Sequence, residues 1–135
     1  MCFSATASFT TAALTGVAGL LCVANVKRWR DLPLAATPLW FGVHQAIEGS
    51  LWTLLPHGPT LVSTALTYGF LVFAQVFWPI YAPAAALLCE PDPRRRNLMR
   101  ACLAVGLSVG AWLLWTLITR PHLAVLGCNL IEYDT

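Results

Sequence analysis

An all-α, polytopic membrane bundle of four spans is the architecture this sequence predicts, and three observations lead there. Hydrophobic residues make up 58% of the chain and charged residues only 10%, with mean hydropathy +0.68. A soluble domain carries about 25% charged residues, and a chain of 135 residues has no core large enough to hide so much apolar surface. Apolar runs of roughly 20 residues, enough for a helix to cross a bilayer, recur four times. Seven of the eight basic residues fall in two short stretches between those runs. A formal charge of +2 gives no reason to expect nucleic acid as a partner. The bilayer is the expected one.

The spans follow in order. Residues 5–26 form the first, rich in Ala, Thr and Gly, a composition suited to close helix contacts. No basic region precedes it and Lys27, Arg28 and Arg30 follow it, a polarity that argues against a cleavable signal peptide and for an outer N-terminus. The second span, 34–55, opens with Pro33 and Pro38 nearby and ends at the turn Pro56-His57-Gly58-Pro59. The third, 60–89, is too long for one straight crossing, and Pro79 and Pro83 within it favour a kink. A polar loop, Glu90 to Asn97, leads to the fourth span, 98–119, which carries Gly106 and Gly110 at a spacing that lets two backbones approach. The tail from Arg120 is too short to cross again. Residues 1–135 thus read as a single transmembrane domain.

Charge distribution orients the spans. Lys27, Arg28 and Arg30, then Arg94, Arg95, Arg96 and Arg100, mark the loops after spans one and three. Both loops belong on the cytoplasmic side, so both termini are expected outside the cytoplasm. Arg120 alone lies on the wrong side.

Within the second span, Trp40, His44, Glu48 and Trp52 recur every four residues and form one stripe on a helix. Glu48 is the one acidic residue of six embedded in hydrophobic sequence. A carboxyl group there must be protonated, paired or facing a wet cavity. With Gln75 and Trp78 of span three, His44 and Glu48 make the candidate ligand- or cofactor-binding set. Trp40 and Trp52 are expected as anchors near the two membrane surfaces.

Three roles suit this set. Glu48 hydrogen-bonded to Gln75, Asn25 or a carbonyl would only fix helix packing. A binding or accessory subunit would use His44 as ligand to a metal, a haem or a pigment; bis-histidine haem would draw its second histidine from another subunit. A proton-coupled transporter or intramembrane enzyme would use Glu48 as proton carrier with His44 beside it. The H-x-x-x-E spacing is not the zinc-protease motif, and no nucleophile–base–acid set is evident. The binding role, within a homo-oligomer or a larger membrane complex, is the expected one.

The orientation also sorts the cysteines. Cys2 and Cys128 share the outer side and would suit a disulfide in an oxidising compartment, or two unpaired thiols. Together with His57 and His122 they offer the residue types of a tetrahedral zinc site, though without the short spacings that make such a site specific.

The opening Met1-Cys2-Phe3-Ser4-Ala5-Thr6-Ala7-Ser8-Phe9, the basic patch after span one, the stretch Pro38 to Trp52 and the segment Phe73 to Pro79 resemble an uncharacterised family of bacterial multi-pass membrane proteins, catalogued as a domain of unknown function. The resemblance covers most of the chain and implies a protein of the bacterial cytoplasmic (inner) membrane. It implies no activity. Members continue into further helices after a segment like Asn129 to Tyr133, so the resemblance implies either a shortened relative or the N-terminal part of a longer architecture.

Overall fold

Side-chain caps open three of the helices. In the computed structural model, which describes residues 4–120, 122–127 and 130–134, the Ser4 hydroxyl accepts from the Ala7 amide at 3.2 Å and opens α1, Ala5–Ala24. The helix ends at Asn25, whose side-chain amide donates to the Leu21 carbonyl at 2.7 Å. A 3₁₀ turn, Trp29–Asp31, leads into the short α2, Leu32–Ala35, and then α3, Thr37–Leu54. At that turn Arg28 and Asp31 pair at 2.9 Å. Arg28 thereby holds the Asp31 carboxyl below the usual carboxylate range, chiefly through the side-chain hydrogen bond between them.

After a second 3₁₀ turn, Leu55–His57, Gly58 takes a positive φ of 90°, and Thr60 and Ser63 cap α4, Leu61–Leu71, reciprocally. The chain continues without a break through a π-helical segment, Val72–Phe77, into α5, Trp78–Cys89. The kink expected of Pro79 and Pro83 thus takes the form of a wider turn immediately ahead of Pro79. The last helix, α6, spans Pro93–Thr119. Asp92 caps it through the Arg94 and Arg95 amides and Pro93 occupies its first turn, so Arg94, Arg95 and Arg96 are helical, not loop.

The tail forms a two-stranded antiparallel hairpin, β1 (Leu123–Gly127) with β2 (Leu130–Asp134), in which Leu123 faces Asp134 and Leu126 faces Ile131. The hairpin departs from the all-helical expectation. Its apolar residues close an end of the bundle: Ile131, 2% exposed, packs with Leu51 and Phe70, and Ala124 lies beside them.

The helices stand in a row, with α1 on α3, α3 on α4, and α5 on α6. Glycines set the spacing. A Cβ on Gly42 would meet the Ala12 carbonyl at 3.0 Å and the Gly16 amide at 3.1 Å, and one on Gly49 would meet the Phe9 ring at 2.9 Å. On the other side, Pro83 lacks the N–H that would bond the Pro79 carbonyl, and Gly106 of α6 lies directly over that carbonyl. Gly106 and Gly110 therefore serve the contact with α5 and the π segment ahead of it.

Three described helical stretches are long and apolar enough to cross a membrane: Ala5–Ala24, Leu61–Cys89 and Pro93–Thr119. The fourth expected span, α3, falls short because His44, Gln45 and Glu48 lie in it. Flanked by α1 and α4, α3 meets protein on two sides and has less need of an apolar surface.

Candidate functional site

His44 and Glu48 lie one turn apart on α3, and both are buried. Facing them is one side of the α4–π–α5 stretch. Phe70, Leu71, Ala74, Gln75 and Trp78 project from it at a period near four residues, which the π segment stretches beyond the usual 3.6. With Phe41 and Gln45 these side chains enclose a cavity of about 520 Å³, within the range of small-molecule sites. All four residues singled out by sequence, His44, Glu48, Gln75 and Trp78, line it.

The polar chemistry centres on Glu48, which is only 1% exposed. Gln45 donates its side-chain amide to the Glu48 carboxyl at 3.0 Å. Sequence reasoning missed that partner, although a residue three positions earlier on a helix is a neighbour by construction. Asn25, weighed as a partner for Glu48, caps its own helix instead. Gln75, the other side chain weighed as a partner, lines the same cavity as Glu48.

His44 is held in an aromatic cage. Its ring lies 4.4 Å from that of Phe70 and is stacked on Phe73 at 5.6 Å. Trp78 Nε1 approaches His44 Nδ1 at 3.5 Å, a long hydrogen bond. Trp78 in turn stacks on Phe41 at 4.3 Å. With Nδ1 accepting, a neutral imidazole carries its proton on Nε2. Nε2 is buried beside the Phe70 backbone. A ligand to haem, pigment or metal needs a bare nitrogen open to the cavity, and in this arrangement His44 presents none. For the cofactor role expected of His44, Trp78 would have to release Nδ1 or the ring would have to turn.

Trp40 and Trp52 both pack within the bundle. Trp40 meets Phe73 at 6.2 Å and Phe77 edge-on at 5.5 Å, and Trp52 packs against the Leu51–Phe70–Ile131 cluster. The aromatic column continues from Phe77 to Tyr81 at 4.7 Å, and the Tyr81 hydroxyl donates to the Pro33 carbonyl. These contacts hold the cavity wall at one end while the hairpin holds it at the other.

Of the outer-face zinc set, only His57 and His122 are among the described residues. His57 is exposed on its turn, whereas His122 is buried beside Tyr68, whose hydroxyl accepts from the His122 amide at 3.3 Å. Cys2 and Cys128, and with them the disulfide expected between them, lie outside the described residues. Among the described residues no three His, Cys, Asp or Glu side chains gather as a metal site.

Compared with known proteins, residues 1–134 match the model of a family of unknown function (DUF6629). No curated protein and no solved structure gives a significant match.

Proposed function

Because the chain belongs to this family of unknown function, we propose a role from the site itself: an integral membrane protein that binds a small molecule in the cavity between α3 and the α4–α5 stretch. The observation that carries it is the convergence of Glu48, Gln45 and Gln75 on one cavity inside an otherwise apolar chain. A carboxyl group kept there needs polar company. The cavity walls are mainly aromatic and aliphatic, so the fitting ligand has an apolar body and one or two polar groups. Such a protein acts as a binding or accessory component, assembled into a homo-oligomer or a larger membrane complex.

Ala74 carries no polar side-chain atom and stands on the cavity wall. Ala74→Trp should therefore fill the space and leave the helices intact. Protein purified in mild detergent should release a small molecule on organic extraction, detected by mass spectrometry, and Ala74→Trp should release several-fold less. Equal amounts from a well-folded variant would refute the binding role. Proton-coupled solute uptake into vesicles, lost in Glu48→Gln, would change the role from binding to transport.

In the same proposal α1, α3, α4–α5 and α6 each cross a bacterial cytoplasmic membrane, with both ends outside. Two features support it. The apolar outer faces of α1 and α6, including Leu14, Leu21, Trp112 and Trp115, are exposed. The two basic stretches lie at one end of the molecule, where the Cys89 thiol donates to the Arg30 carbonyl at 3.3 Å. Single cysteines introduced at 27–31 and 90–97 should resist membrane-impermeant thiol reagents in intact cells. Labelling of both stretches from outside would overturn the orientation.

A further inference from the structure

At the start of α6, Arg96, Asn97 and Arg100 surround a small recess of about 140 Å³, with Pro93 as its remaining wall. Its polar lining offers donors. Arg100 Nη1 donates to the Asn97 Oδ1 at 2.8 Å, which uses the acceptor of that amide and leaves its NH₂ group and the rest of the guanidinium to face outward. Arg96 Nε is buried and has no hydrogen-bond partner among the described residues. Nearby carboxylates are engaged elsewhere. Asp92 caps the Arg94 and Arg95 amides, Glu90 accepts from the Asp92 amide at 3.0 Å, and Asp31 is paired with Arg28. Among the described residues no acid forms an ion pair with Arg94, Arg95, Arg96 or Arg100. A recess built of two guanidinium groups and an amide, with no anion of its own, suits a phosphate.

We propose that Arg96, Asn97 and Arg100 cradle the phosphate of an anionic phospholipid. The surroundings favour a lipid over a free anion. On the recess's own side of α6, seven, fourteen and eighteen residues beyond Arg100, Leu107, Leu114 and Ile118 are exposed. An acyl chain lies along that stripe when its headgroup sits in the recess. Trp29, 70% exposed with the Arg30 guanidinium over its ring at 5.7 Å, marks the same end of the molecule, where aromatic and basic side chains meet headgroups. The proposal shares only the membrane setting with the interior cavity, and its test does not involve that cavity.

The test uses the full chain in non-ionic detergent, with lipid adducts counted by native mass spectrometry and thermal shift as a second readout. Phosphatidylglycerol should bind and raise the unfolding temperature; phosphatidylcholine and inorganic phosphate at equal concentration should do neither. Each basic side chain near a headgroup contributes about fivefold in affinity, so Arg96→Gln/Arg100→Gln should weaken phosphatidylglycerol binding by about 25-fold. Asn97→Ala, which changes no charge, should weaken it as well, and Arg94→Gln/Arg95→Gln should cost no more than about fivefold. Equal losses in the two arginine pairs with no effect of Asn97→Ala would mean a diffuse field and overturn the cradle. Equal stabilisation by inorganic phosphate would overturn the lipid assignment, and equal binding of phosphatidylcholine would overturn its anionic character.

Discussion

Gly106→Ala is expected to separate α5 from α6 and to cause the largest stability loss of any single methyl group added to this chain. The added Cβ would run into the Pro79 carbonyl, its nearest neighbour. A flexible side chain would turn aside at little cost, but a backbone carbonyl moves only with its helix. Overpacking costs about 1–3 kcal/mol where side chains give way, so the expected loss lies at or above the top of that range. Gly69→Ala is the control, because a Cβ there meets nothing within 4 Å and gains about 1 kcal/mol of helix propensity. Thermal unfolding in one detergent should rank Gly69→Ala at or above the parent and Gly106→Ala well below it. Equal midpoints for the two variants would mean that α6 does not approach Pro79 so closely.

Glu48→Leu is expected to have the second largest effect, and comparison with Glu48→Gln isolates its cause. Glutamine retains an oxygen that can accept from Gln45, so the 3.0 Å hydrogen bond survives and the fold should be preserved. Leucine fills similar space and removes the acceptor, leaving the Gln45 amide short of that partner at a cost of about 1–3 kcal/mol. The cavity also loses its carboxyl group, and with it, on the proposed binding role, the ligand. Unfolding midpoint, oligomeric state and extracted small molecule together should separate Glu48→Leu from both the parent and Glu48→Gln. A leucine variant matching the parent in all three would show that the buried carboxyl serves neither binding nor structure.

The helical, strongly apolar character of the chain is plain in the sequence because apolar composition and run length report directly on helices of membrane length. The His44–Glu48 stripe is equally plain, since a charge among apolar residues is costly enough to need a reason. That Gln75 and Trp78 belong with it follows from their being polar atoms in an apolar stretch. Other features depend on tertiary packing. Trp40 and Trp52 carry the mark of membrane anchors, yet their rings are taken up by Phe73, Phe77 and the Leu51 cluster. Whether His44 exposes a bare nitrogen depends on Trp78, thirty-four residues away. The hairpin escapes a sequence reading because its strands are short and weakly alternating, and its main apolar partner, Phe70, comes from α4. The start of α6 is legible yet easily misread: Asp92-Pro93 is a cap followed by a first-turn proline, and the arginines after it draw the boundary too late.

The π segment sets the two halves of one span out of phase. Each residue beyond the α-helical count turns the remainder of the helix by about 100° around the axis, so the residues that carry a given face change register between α4 and α5. Without that offset, Leu61–Cys89 would present the same side to one neighbour throughout. With it, α4 addresses α3 while α5 addresses α6, and a single chain segment serves as the hinge-pin between two helix pairs. The cavity opens at the level of the π turn on the side that α3 faces, while Gly110 of α6 lies against Val76 on another.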